Sequence, residues 1–204
     1  ETPQVGGKDL WGSATWHRNR AASCASENYI HKGRFCSHPG MAPYAASMLG
    51  LHLRLDAADV SRLTDNEEDL ADILEEFEED EQLFDRACQT DRAWEPIHNA
   101  LAPDGEDDEW PARGVIGGAR TLHEDDDIWV THSSPDEVEE IARWLEAFGD
   151  DDFHRAYTGM PEELRGPGHG PEEESYALES LADLRSFYLE AAAERRHVVF
   201  TVYG

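Results

Sequence analysis

Leu49, Leu51, Leu53 and Leu55 alternate with Gly50, His52 and Arg54. A period of two predicts a β-strand, placed at Met48 to Leu55, with one face buried. The period then lengthens. Asp56 caps a short helix carrying Val60 and Leu63, which Asp65 and Asn66 end. Leu70, Ile73, Leu74 and Phe77 follow at i, i+3, i+4 and i+7, a second helix with Glu67, Glu68 and Asp69 in its first turn. Leu83, Phe84, Ala87 and Cys88 predict one or two further helical turns after Asp80.

Trp94, Ile97, His98 and Leu101 share one helical stripe. Pro96 fits a helix only in its first turn, so this helix begins near Glu95 or is kinked there. The stretch GVIGGARTL reads as a strand or turn, its Gly114, Gly117 and Gly118 permitting unusual backbone angles. Ile128, Trp129 and Val130 have strand character. They feed the clearest helix of the chain, with Ser134 as N-cap, Pro135 at the first position and Glu137 completing a capping box. Val138, Ile141, Ala142, Leu145 and Phe148 form its apolar stripe, and Gly149 stops it. Ser133 and Ser134 are both assigned to the cap.

Asp150 to Tyr157 forms a short helix, with Phe153 and Tyr157 on one face. Residues 159–171, rich in Gly and Pro, make a loop long enough to be a rim or lid. A long helix starts at Glu172, its core track running through Tyr176 or Ala177, Leu181, Leu184, Tyr188, and Leu189 or Ala191. His197 to Tyr203 is a terminal strand. These elements predict one α+β domain, a small mainly antiparallel or mixed sheet with amphipathic helices packed on it. The N-terminal and C-terminal strands are expected in the same sheet.

Composition divides the chain. Five basic residues (Lys8, Arg18, Arg20, Lys32, Arg34) against three acidic ones leave residues 1–40 at +2, so of the whole-chain charge of −28 the remainder carries −30, without a single lysine. No period survives in residues 1–40, which are expected to be a disordered or non-native extension, with the native start at Met41 or Met48 and the folded domain spanning 41–204. The acidity argues against nucleic acid and anionic membranes and points to a basic protein as partner. No apolar run of about 18 residues and no secretion signal are visible, so no membrane span is expected and a cytoplasmic location is. Cys24, Cys36 and Cys88 fit a reducing compartment.

Chemical motifs are few. Cys24, His31, Cys36 and His38 lie within fifteen residues, but lack the close ligand pair of a zinc site. No metal or other cofactor is expected. Neither GK[ST] nor GxGxxG follows the glycines, and HExxH, GxSxG and SxxK are absent. Cys88 reads as a buried, inert thiol, because nothing selects a neighbouring base. The acidic stretch Glu124 to Asp127 lacks the spacing of a calcium loop.

Several stretches together resemble the YfbM-like family, bacterial proteins classed as a domain of unknown function. SMLGLHLRLDAADVSRL is similar to its opening strand and helix. DRAWEPIHNAL resembles its Asp-x-x-Trp-x-x-(Ile/Leu)-His-x-x-Leu helix, carried here by Asp91, Trp94, Ile97, His98 and Leu101. Pro96 departs from that pattern. GVIGGARTL with SPDEVEEIARWLEAF, and LRSFYLEAAAERRHVVFTVY with Phe187 and Tyr188, resemble its glycine turn and its closing elements. The resemblance covers about residues 47 to 203 and implies one intracellular α/β domain, with no established activity to carry over. Trp94, His98, Asp91 and Tyr188 are the candidate binding residues, and no catalytic residue is assigned. The expected function is non-catalytic binding or regulation, immunity-like, through an acidic surface. The alternative is a hydrolase or transferase with a pocket near Trp94, His98 and the 159–171 loop.

Overall fold

The computed structural model describes residues 49–65, 69–103, 109–125, 128–166 and 168–203. Expectations for residues 1–40, including the Cys24, His31, Cys36 and His38 group, lie outside the described residues, as do Glu67 and Glu68. Five strands form a sheet in the order β2-β1-β5-β4-β3, every neighbouring pair antiparallel. They are β1 (Leu49–Leu55), β2 (Cys88–Asp91), β3 (Arg120–Glu124), β4 (Ile128–Ser133) and β5 (His197–Tyr203). The expected pairing of the first and last strands is the middle of the sheet, from Leu49 opposite Tyr203 to Leu55 opposite His197.

Helices cover both faces. On one, Leu51, Leu53 and Leu55 of β1 pack with Val130 and Val199 against α1 (Ala57–Asp65) and α2 (Leu70–Glu79), which supply Val60, Leu63, Leu70, Ile73, Leu74 and Phe77. On the other lie α4 (Trp94–Leu101), α5 (Gly114–Gly117), α6 (Pro135–Ala147), α7 (Asp150–Gly159) and α8 (Pro171–Ala193), around a larger core that takes in Phe200 and Val202. The short helix α3 (Glu81–Phe84) follows α2, and Asp80 caps it by accepting from the Gln82 and Leu83 N–H groups.

The two-sided cover corrects the expectation that β1 has one buried face. His52 and Arg54 are as buried as the leucines. The alternation marks two different cores rather than core and water. His52 lies among the rings of Phe187, Tyr188 and Phe200, 5.9, 6.1 and 4.6 Å away. Arg54 donates from Nε to the Arg86 carbonyl at 3.0 Å and pairs with Glu190 at 2.8 Å, so its charge is met where it is buried.

Three local readings also change. Cys88 ends no helix but opens β2, whose Thr90 hydroxyl donates to the Gly50 carbonyl at 3.2 Å. Gly50 is required there, since a Cβ would meet Thr90 Oγ1 at 2.7 Å and Trp94 at 2.8 Å. GVIG is a four-residue helix, and the strand starts only at Arg120, after Gly118 turns the chain at φ 60 with its α-carbon against the β4 backbone. Ser133 is not a cap. It is a buried residue of β4 whose Oγ accepts from the Ala119 N–H at 3.2 Å. Ser134 does cap α6. Its N–H and its hydroxyl both donate to the Glu137 carboxylate, at 2.7 and 2.6 Å.

Candidate functional site

The helix α4 starts at Trp94, which places Pro96 third, inside the first turn where a missing N–H costs nothing. Ahead of it Asp91 adopts φ 43, turning the chain out of β2, and the Ala93 N–H donates to the Thr90 carbonyl at 2.8 Å. That turn aims Trp94 into the core, 8 % exposed, with its ring 6.2 Å from Trp129 and 6.0 Å from Phe200. His98, one turn on, is half-buried and meets Trp129 edge-on at 6.0 Å.

Asp91 faces a different neighbourhood, accepting from the Tyr176 hydroxyl at 3.3 Å. Arg92 lies over the Tyr176 ring at 5.0 Å, and its Nε is 3.3 Å from Glu173 Oε1. Burial lifts the Tyr176 phenol to about 12, with Asp91 adding to the shift. Tyr188 is fully enclosed, and its hydroxyl donates to the Val115 carbonyl at 2.8 Å. Burial pushes this phenol far up. The structure thus brings Trp94 and His98 together through Trp129, and keeps Asp91 and Tyr188 in separate settings.

None of the four lines either of two surface hollows. One, of about 650 Å³, is bounded by Phe148, Asp150, Asp151, Asp152, Arg155 and Arg185. The other, of about 360 Å³, is formed by Gly168, Gly170, Pro171, Glu172 and Glu173.

Two groups able in principle to attack or to move protons, Cys88 and His52, are buried. Burial, with Asp183 adding to it, lifts the Cys88 thiol to about 12. Burial also holds His52 down to about 3, neutral at any physiological pH. Among the described residues no three His, Cys, Asp or Glu side chains gather as a metal site. No helix among them is long and apolar enough to cross a membrane.

Two polar arrangements were missed from sequence. The Arg92–Glu173 pair joins residues 81 apart. A chain of Arg120, His132 and His197 crosses three strands: Arg120 Nε–H donates to His132 Nδ1 at 2.9 Å, and His132 Nε2 is 2.9 Å from His197 Nδ1, the ring centroids 5.1 Å apart and the planes 23° from parallel. The signal for it was a histidine just beyond one predicted strand and another opening the last, and register alone decides whether they meet.

Comparison with curated proteins finds no match. Among solved structures the fold is similar to that of YfbM from Escherichia coli, a protein of unknown function. The TM-score is 0.59 at 17 % identity, over 76 % of this chain and 99 % of that one. A family model described as a domain of unknown function (DUF1877) matches residues 46–201. The Trp94 helix, α8 and β5 up to Thr201 fall inside that match, and the chain belongs to the DUF1877 family.

Proposed function

We propose that this domain acts by binding rather than by catalysis, offering the outer side of α2 and α3 to a basic protein in an immunity-like or regulatory role. The observation that carries the reading is the composition of that side. Asp72, Glu75, Glu76, Glu79, Asp80, Glu81 and Asp85 are all exposed, and neither helix contains a basic residue. Arg62 of α1 reaches across to Glu76. Like charges three and four residues apart on a helix weaken it by a few tenths of a kcal/mol each, a cost that a cationic partner removes. At the end of the ridge Phe84 is 44 % exposed, an apolar anchor beside the carboxylates.

Low-salt pull-downs with the wild-type domain, a Glu75→Gln/Glu76→Gln/Glu79→Gln/Glu81→Gln variant and Phe84→Ser test the reading. The expected outcome is a basic protein retained by wild type and lost from both variants. Roughly 1 M salt, where the screening length is about 3 Å, should release it. Equal retention by all three, or none by wild type, removes the proposal.

A further inference from the structure

We propose that Arg120, His132 and His197 form a proton-sensitive latch that holds the edge strand β3 to the sheet while both imidazoles are neutral. The Arg120 Nε carries a hydrogen and donates to His132 Nδ1, so that nitrogen holds a lone pair and the hydrogen of His132 sits on Nε2. His132 Nε2 therefore donates to His197 Nδ1, whose own hydrogen sits on its Nε2. Every nitrogen in the chain has one role, and neither ring can take another proton without breaking it. A proton on His132 Nδ1 would face the Arg120 N–H, and a proton on His197 Nδ1 would face the His132 N–H, each across 2.9 Å.

His132 is 4 % exposed, so water cannot step in cheaply. The charged groups facing the pair are Arg120 from β3, Glu137 from the first turn of α6, and Asp56 from the junction of β1 and α1. Arg196, next to His197, is directed to Asp56 at 3.8 Å and Glu194 at 3.7 Å. Glu137 already lies 3.6 Å from Arg120 Nη2 and offers the displaced guanidinium, or the new imidazolium, a carboxylate.

The contact helps to hold the start of strand β3. That strand is the edge of the sheet, paired only with β4, and its ladder is irregular between Thr121 and His123. Arg120 is its first residue and stands opposite His132. Protonation removes the side-chain tie at that end, so β3 frays from Arg120 inward while β1, β5 and β4 stay paired. Burial first, then Arg120 and His197, hold His132 down to about 4. Opening that restores its ordinary value of 6.5 is therefore about twentyfold easier at pH 5 than at pH 7.

Amide hydrogen exchange on the full chain at pH 7 and pH 5, corrected for intrinsic exchange chemistry, reads the opening directly. The expected result is a gain of about twentyfold in opening of β3 relative to β1 in wild type, abolished in His132→Gln. Equal pH dependence in that variant, or no gain in wild type, overturns the latch. Should His132→Gln fail to fold, imidazole ¹⁵N shifts of wild type decide: a His132 that carries its hydrogen on Nε2 and stays neutral at pH 5 upholds the latch. A His132 that carries it on Nδ1, or titrates near 6.5, overturns it.

Discussion

The carbonyl oxygen of Val115 accepts from the Tyr188 hydroxyl at 2.8 Å and faces His52 Nε2 at 3.3 Å, joining α8, β1 and α5 at one buried atom. With Nε2 donating there, the His52 Nδ1 has no hydrogen-bond partner among the described residues, and burial keeps the ring neutral. Tyr188→Phe removes the shorter of the two bonds but leaves the second, and should cost about 1 kcal/mol in urea unfolding with an unchanged m-value. A loss of about 3 kcal/mol would mean that His52 lets go as well. Tyr188 was readable as a core position, because the 3.6-residue period puts it on the buried track. Its partner was not, since Val115 lies 73 residues away and nothing local selects it. Trp94 and His98 follow the same rule: the stripe predicted their face, and only the fold could place Trp129 against both.

Helix α6 is where local chemistry suffices. Ser134, Pro135 and Glu137 set its start, and Val138, Ile141, Ala142 and Leu145 are all buried as their spacing predicts. Glu137→Ala removes the carboxylate that accepts both Ser134 donors and should lower stability by about 1 kcal/mol, seen as a lower urea midpoint. Strand β2 is the opposite case. Four residues, Cys-Gln-Thr-Asp, carry almost no periodic signal, and they form a strand only because β1 presents an edge to pair with. The same holds for GVIG, where α5 is followed by Gly118, pressed against the backbone of His132. Elements that organise themselves were legible, and elements organised by neighbours were not.

At the scale of the whole molecule, two electrostatic effects should be separable. The −30 carried after residue 40 makes the compact state repel itself, so added salt should raise the melting temperature. A flat or falling response would show that the arginine ion pairs outweigh the repulsion. Acid acts through the buried imidazoles. Their folded values, about 3 for His52 and about 4 for His132, lie below the ordinary 6.5, so the unfolded chain binds more protons below that pH. Their contribution is complete above pH 6.5 and declines as the pH falls toward those values, each by up to about 1.4 kcal/mol per pH unit. Urea unfolding at pH 7, 6 and 5 should show this before the surface carboxylates titrate and relieve the repulsion.

The central place of β5 between β1 and β4 also has a consequence during synthesis. A chain released in order from its amino-terminal side makes β1 before the other strands and must wait about 140 residues, from Leu55 to His197, for the strand that completes its pairing. Until then the sheet exists only as two separate hairpin-like halves, β2 with β1 and β3 with β4, each with an unsatisfied edge. Closing so long a loop makes the final step slow, and a ribosome stalled before His197 would hold a sticky, unfinished domain.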